Sequence, residues 1–198
     1  MATIQGRRDL VVIGASAGGV QAIRGLLGQL SPGFSGTIAV VLHRSAYARN
    51  HLAHVLQGGT DHIVVEPQHD EPMAPGRVYL APRDRHLLVA RGRLRLDRGA
   101  KEHFTRPAAD PLFRSAADSY GPQVLGIVLT GGGHDGTNGL IAVKAAGGAT
   151  MAQEPSEAQA AVMPAYAIRH AEVDAVLKLH DIAGAIRSAM LADRVAAS

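Results

Sequence analysis

Asp9-Leu10-Val11-Val12-Ile13-Gly14-Ala15-Ser16-Ala17-Gly18-Gly19 sets a β-branched apolar run directly against a glycine-bearing turn. Behind the turn, apolar residues recur at helical spacing through Val20, Ile23, Leu26, Leu27 and Leu30. Strand, tight turn and helix in that order form the opening unit of a parallel α/β sheet. Ser31-Pro32-Gly33 predicts the helix stop, Thr37 to Leu42 a second buried strand ending at His43, and Arg49 to Gln57 a further helix.

The middle of the chain reads differently. Short strands are expected around Ile63 to Glu66, Arg77 to Ala81, Leu87 to Ala90 and Leu94 to Leu96, joined by Pro-Gly and Arg-Gly-Arg turns, which predicts an antiparallel hairpin region inserted into the sheet. From Asp110 the alternation returns: a helix to Ser119, a strand from Val124 to Leu129, the loop Thr130-Gly131-Gly132-Gly133-His134-Asp135-Gly136, and a helix through Lys144. A strand at Ala149 to Ala152 and amphipathic helices near Pro164 to His170 and Ile182 to Leu191 complete the pattern. The expected fold is α/β: a doubly wound, mainly parallel sheet with helices on both faces and a small antiparallel hairpin region. One domain across residues 1–198, with its core at about 9–190, suits a chain of 198 residues.

Composition narrows the chemistry. Cysteine is absent, which excludes disulfides, thiolate metal sites and a cysteine nucleophile. The apolar run after Arg7 and Arg8 breaks at Gly14, too soon for a signal peptide or a membrane span, so a cytoplasmic protein without membrane insertion is expected. Aromatic residues make up 4% of the chain and Trp is absent, which argues against a base-stacking surface and hence against nucleic acid. A net charge of +3 biases the surface towards acidic partners.

In a doubly wound sheet, ligands bind where loops leave the carboxyl ends of the strands. Ser16, His43 and Asp135 each fall in such a loop. Gly14-Ala15-Ser16-Ala17-Gly18 matches the strand-to-helix serine elbow, in which small neighbours permit a tight turn that lifts the hydroxyl over the sheet. The spacing predicts Ser16 as nucleophile, His43 as the base that takes and returns its proton, and Asp135 as the carboxylate that fixes the imidazole tautomer. Backbone N–H groups of Ala17 and of Gly132 are the expected oxyanion donors, the second because glycines let the backbone approach a substrate closely.

Other readings of the same residues stay open at this level. A serine elbow can be a phosphate-binding turn, a histidine after a strand is commonly structural, and Asp135 can serve as N-cap of the helix that follows it. Dinucleotide binding is the strongest competitor, but the second strand ends in Leu42-His43-Arg44 without the acid that holds a ribose, leaving only Arg44 for a 2′-phosphate. No P-loop lysine follows either glycine loop, and no cofactor is predicted. His51 and His54 lack a completed metal-ligand pattern and read as surface histidines. Arg83, Arg85, Arg91, Arg93, Arg95 and Arg98 read as the wet face of a hairpin.

The motifs together resemble a known family, the chemotaxis receptor methylesterases, CheB. The resemblance runs from about Asp9 to Ala189 and rests on Ile13 to Gly19, the strand ending at His43, Pro75 to Pro82 with His86, Arg106-Pro107-Ala108-Ala109-Asp110, Leu129 to Gly136, and Met163-Pro164. It implies a Ser16–His43–Asp135 triad that removes methyl groups from methylated glutamates on the acidic helical bundles of methyl-accepting chemoreceptors, in some members with glutamine deamidation. It also implies that Arg106 contacts receptor carboxylates. Members typically carry a receiver domain ahead of this region, which is not expected within residues 1–198. The chain departs from the family pattern at Ala17, Gly132, His134 and Thr105, the last in place of a His. A same-fold esterase or amidase with another substrate, and a non-catalytic signalling module, are the alternative classes.

Overall fold

The computed structural model describes residues 8–30, 34–45 and 51–191. Its first strand, β1 (Leu10–Ala15), lies at the centre of a seven-stranded sheet. The chain then forms α1 (Gly19–Leu27), β2 (Thr37–Leu42), α2 (Leu52–Gln57), β3 (Ile63–Val65), β4 (Glu71–Pro72), β5 (Arg77–Leu80), β6 (His86–Ala90) and β7 (Arg93–Asp97). It continues through α3 (Ala109–Tyr120), β8 (Val124–Val128), α4 (Thr137–Ala145), β9 (Ala149–Gln153), α5 (Val162–His170), β10 (Ala175–Leu177) and α6 (Leu179–Leu191). The helix stop expected at Ser31-Pro32-Gly33 and the start of the helix expected from Arg49 lie outside the described residues.

The sheet order is β10-β9-β8-β1-β2-β5-β3, and every pairing in it is parallel. Strands β1, β2, β8 and β9 are buried along their whole length, as continuous apolar runs covered on both faces must be. Alternate residues feed two cores. Val11, Ile13, Ile38 and Val40 pack with Ile23, Leu26, Leu56, Ile182 and Ile186 of α1, α2 and α6. Leu10, Val12, Ala39 and Val41 pack with Leu112, Phe113, Leu140 and Met163 of α3, α4 and α5.

The inserted region divides in two, which corrects the sequence reading. β3 and β5 join the main parallel sheet, β5 beside β2 and β3 beside β5. Only β4, β6 and β7 form a separate antiparallel sheet, in which Arg93 and Arg95 face solvent and Leu94 is buried. That small sheet is fastened to α3 by the Val89 N–H, which donates to Ser115 Oγ at 3.0 Å, and by the Ser119 hydroxyl, which donates to the Val89 carbonyl at 3.0 Å. Among the described residues, no helix is long and apolar enough to cross a membrane.

Chain order turns around at β1: β2 is added on one side and β8 on the other. The crevice at the carboxyl ends of β1 and β8 is therefore the switch point of the sheet.

Candidate active site

Three strand ends meet at that crevice. Ser16 directly follows β1, His43 directly follows β2, and the loop from Thr130 to Gly136 leaves β8. Parallel register holds them level: the Ser16 N–H donates to the Thr130 carbonyl at 2.9 Å and the His43 N–H to the Ala15 carbonyl at 3.0 Å.

The turn after Ser16 closes on Gly18, which has φ 78° and caps α1 in the left-handed region where a Cβ is disfavoured. The Gly19 N–H returns to the Ser16 carbonyl at 2.9 Å, so the positive end of α1 starts beside the serine. Thr130 ties the two loops together: its hydroxyl donates to the Ala17 carbonyl at 2.9 Å and accepts from the Ala160 N–H at 2.9 Å. Gly131 has no room for a side chain, because a Cβ there would stand 2.9 Å from Ser16 Cβ and 2.5 Å from Met163 Sδ. Gly132 is exposed, with no atom within 4 Å of where its Cβ would be.

His43 Nε2 lies 2.6 Å from Asp135 Oδ2. The histidine side chain is 12% exposed and the aspartate 1%. Asp135 also accepts from the N–H groups of Ala109 at 2.6 Å, Asp110 at 3.0 Å and Gly136 at 2.9 Å. Burial alone would push this carboxyl up, but the bond and charge of His43 and the Ala109 and Asp110 N–H groups together hold it below its ordinary value. An ionised carboxylate only accepts, so the proton resides on His43 Nε2 and Nδ1 is left as the basic nitrogen. Thr105 Oγ1 approaches His43 Nε2 at 3.5 Å. The structure thus brings His43 and Asp135 into contact and sets Ser16 in the same crevice; among the described residues no hydrogen bond joins the serine hydroxyl to the ring.

Asp135 caps a helix, but not the one that follows it. Ala109 and Asp110 open α3, so the carboxylate sits on the N-terminus of an earlier helix, on donors 26 and 25 residues before it in sequence. Asp110 in turn accepts from the Gly139 N–H of α4 at 2.6 Å and meets His103 Nε2 at 2.8 Å. Burial, and next the charge of Asp135, raise the Asp110 carboxyl above its usual value. Sequence reasoning missed this second pair. Its signal lies in Arg106-Pro107-Ala108-Ala109-Asp110, whose last two residues open α3.

Two arginines are engaged within the chain. Arg44 donates to Glu66 at 2.9 Å and to the Ala81 carbonyl at 2.5 Å, so this arginine is engaged within the chain rather than held out for a 2′-phosphate. Arg106 donates to Asp84 through Nε at 3.1 Å and Nη2 at 2.7 Å, and to the Arg98 and Gly99 carbonyls at 2.9 and 2.6 Å. It braces the loop that carries Thr105 towards His43.

A run of rings crosses the rim. His103 lies 5.1 Å from His134, His134 lies 4.9 Å from Tyr166, and Tyr166 lies 4.1 Å from His170, between ring centroids.

The family model described as CheB methylesterase matches residues 11–186. A protein-glutamate methylesterase of Myxococcus xanthus, FrzG, is 40% identical over 178 residues, covering 89% of this chain and 53% of that protein. A protein-glutamate methylesterase/protein-glutamine glutaminase of Anaeromyxobacter dehalogenans is 40% identical over 181 residues, covering 91% of this chain and 53% of that protein. The chain spans about half the length of these two relatives. The crystal structure of the Thermotoga maritima CheB methylesterase catalytic domain superposes with a TM-score of 0.85 at 32% identity, over 95% of this chain and 100% of that one.

Proposed function

The chain belongs to the CheB methylesterase family, and we propose that it hydrolyses methyl esters on glutamate side chains of a helical chemoreceptor in the cytoplasm, with Ser16, His43 and Asp135 as its triad. The observation that carries this reading is the 2.6 Å His43–Asp135 pair, part-buried and formed by the segments that follow β2 and β8, beside the strand end that carries Ser16.

The chemistry follows from the tautomer. Ser16 Oγ attacks the γ-carbonyl carbon while His43 Nδ1 takes its proton, and Asp135 stabilises the resulting imidazolium through Nε2. The N–H groups of Ala17 and Gly132 receive the oxyanion, at the N-terminus of α1. The ester C–O bond breaks, methanol leaves with the proton from His43, and the glutamyl group remains on Ser16. Water, deprotonated by the same ring, then cleaves the acyl-enzyme and releases free glutamate. One ester and one water become one carboxylic acid and one methanol, and no cofactor is needed.

Methanol release from a methylated receptor fragment tests the reading. Wild type releases it, and Ser16→Ala lowers the rate at least about 10⁴-fold. Equal rates would overturn Ser16 as nucleophile. Labelling by a fluorophosphonate without any methanol release would keep the serine hydrolase and overturn the substrate, favouring another ester or amide.

A further inference from the structure

Phe104 is 97% exposed, more than any other large apolar side chain described. It is held in that position by a costly backbone. His103 and Phe104 both have positive φ, 49° and 62°, and are flanked by paired bonds: the Glu102 N–H donates to the Thr105 carbonyl at 3.2 Å and the Thr105 N–H to the Glu102 carbonyl at 2.9 Å. That is a two-residue hairpin turn of the kind that prefers Asn-Gly, occupied here by two residues bearing a Cβ.

The turn is braced on every side. Glu102 pairs with Arg114 at 2.6 Å, His103 with the fully buried Asp110 at 2.8 Å, and Arg106 anchors the chain after it. Strained backbone persists where surrounding structure over-determines it, and such positions cluster at functional sites. Burying Phe104 would favour the folded chain, yet the bracing keeps it in water. Both costs are borne by the free protein and are offset when something covers the ring.

Position and charge say what covers it. The next residue, Thr105, stands 3.5 Å from His43 Nε2, so the turn borders the catalytic imidazole. From His103 the run of rings leads through His134, beside Asp135, to Tyr166 and His170 of α5, where Val162 is also exposed. Arg98 and Lys101, both exposed, precede the turn. The carboxyls beneath the rim, Asp110 and Asp135, are buried. The two part-exposed carboxylates at the turn, Glu102 and Asp84, are each paired with an arginine, Arg114 and Arg106, so the rim offers apolar rings with a surplus of cations in Arg98 and Lys101, which matches a helical surface of apolar and glutamate side chains.

We propose that the His103–Phe104 turn is the docking point for the helical, carboxylate-bearing substrate protein, with Phe104 as its apolar anchor. This rests on the methylesterase reading above. Docking there would hold the substrate helix across the mouth, so that an ester on it reaches Ser16.

Kinetics on a methylated receptor fragment, set against a small generic ester, test the proposal. Phe104→Ala is expected to raise KM for the fragment about ten-fold with kcat within about two-fold, lowering the ratio of fragment to small-ester kcat/KM by the same factor. Phe104→Leu, which restores apolar bulk, should recover most of the loss. An unchanged KM in Phe104→Ala overturns the docking point and leaves the methylesterase reading intact. An equal loss on both substrates marks a merely structural residue and overturns it too. Loss of a dimer in sedimentation, with KM unchanged, would assign the patch to a second copy of the chain instead. Absence of methanol release by wild type, with fluorophosphonate labelling retained, overturns the substrate reading and the docking point with it.

Discussion

Asp135 owes its state to a contest between burial and hydrogen bonding. Four donors converge on a side chain that is almost wholly out of water, and their combined effect keeps it ionised. Asp135→Asn presents an amide of the same shape, which no longer demands the Nε2 tautomer of His43. Activity is expected to fall about 10⁴-fold with KM little changed, as steady-state methanol release would show. The same carboxyl sets a pH dependence. Its folded pKa lies below its unfolded value, so the stability it contributes is fully present above the ordinary carboxyl range, at about pH 4, and is lost as pH falls through the folded value. Denaturant unfolding of wild type and Asp135→Asn from neutral pH to about pH 3 should show a shallower acid loss in the variant; parallel curves would show that the aspartate is not the group responsible. Asp110 works in the opposite sense, because its raised carboxyl makes the fold lose stability as pH rises through the folded value.

Helices α3 and α4 trade carboxylates at their N-termini. Asp135, two residues ahead of α4, caps α3, while Asp110, in the first turn of α3, accepts from Gly139 in the first turn of α4. Each helix thus fixes the acidic group that the other needs, and a displacement between them moves Asp135 relative to His43. Their close approach depends on Gly139, where a Cβ would stand 2.4 Å from Phe113 Cβ. Gly139→Ala is expected to lower stability by about 1–3 kcal/mol and to reduce kcat more than KM, read by thermal unfolding and by kinetics on a small ester. A stable variant with normal kcat would show that the helix pair tolerates spreading without disturbing the site. None of this exchange is legible from spacing, since Asp135 before a helix reads locally as the cap of that helix. The antiparallel pair β6 and β7 follows its sequence pattern, whereas the placement of β3 and β5 escapes it for a related reason. Short apolar runs with turns between them identify β-structure, but Val78 to Leu80 pair with β2 residues 40 positions earlier, and local pattern carries no information about which edge receives them.

Across the whole molecule, basic residues outnumber acidic ones, 20 to 17, a balance that would attract the proposed acidic helical substrate at long range. Raising salt from about 0.05 M to about 0.5 M is expected to raise KM for the receptor fragment several-fold while leaving fluorophosphonate labelling nearly constant, because screening acts on separated charges and little on the His43–Asp135 pair in direct contact. A salt-independent KM would remove the charge argument. The sequence by itself determined the layered α/β architecture, the elbow at Ser16 and the strand ends that carry His43 and Asp135. Those features follow from hydrophobic period and turn chemistry, which act between near neighbours in the chain. Only the tertiary structure decided that β3 and β5 extend the main sheet, that Asp135 caps α3, that Arg106 is bound to Asp84 and loop carbonyls, and that His103 and Phe104 form a strained rim. Such outcomes depend on which distant backbone donors and side chains burial leaves facing one another, and a linear pattern of residues does not encode that meeting.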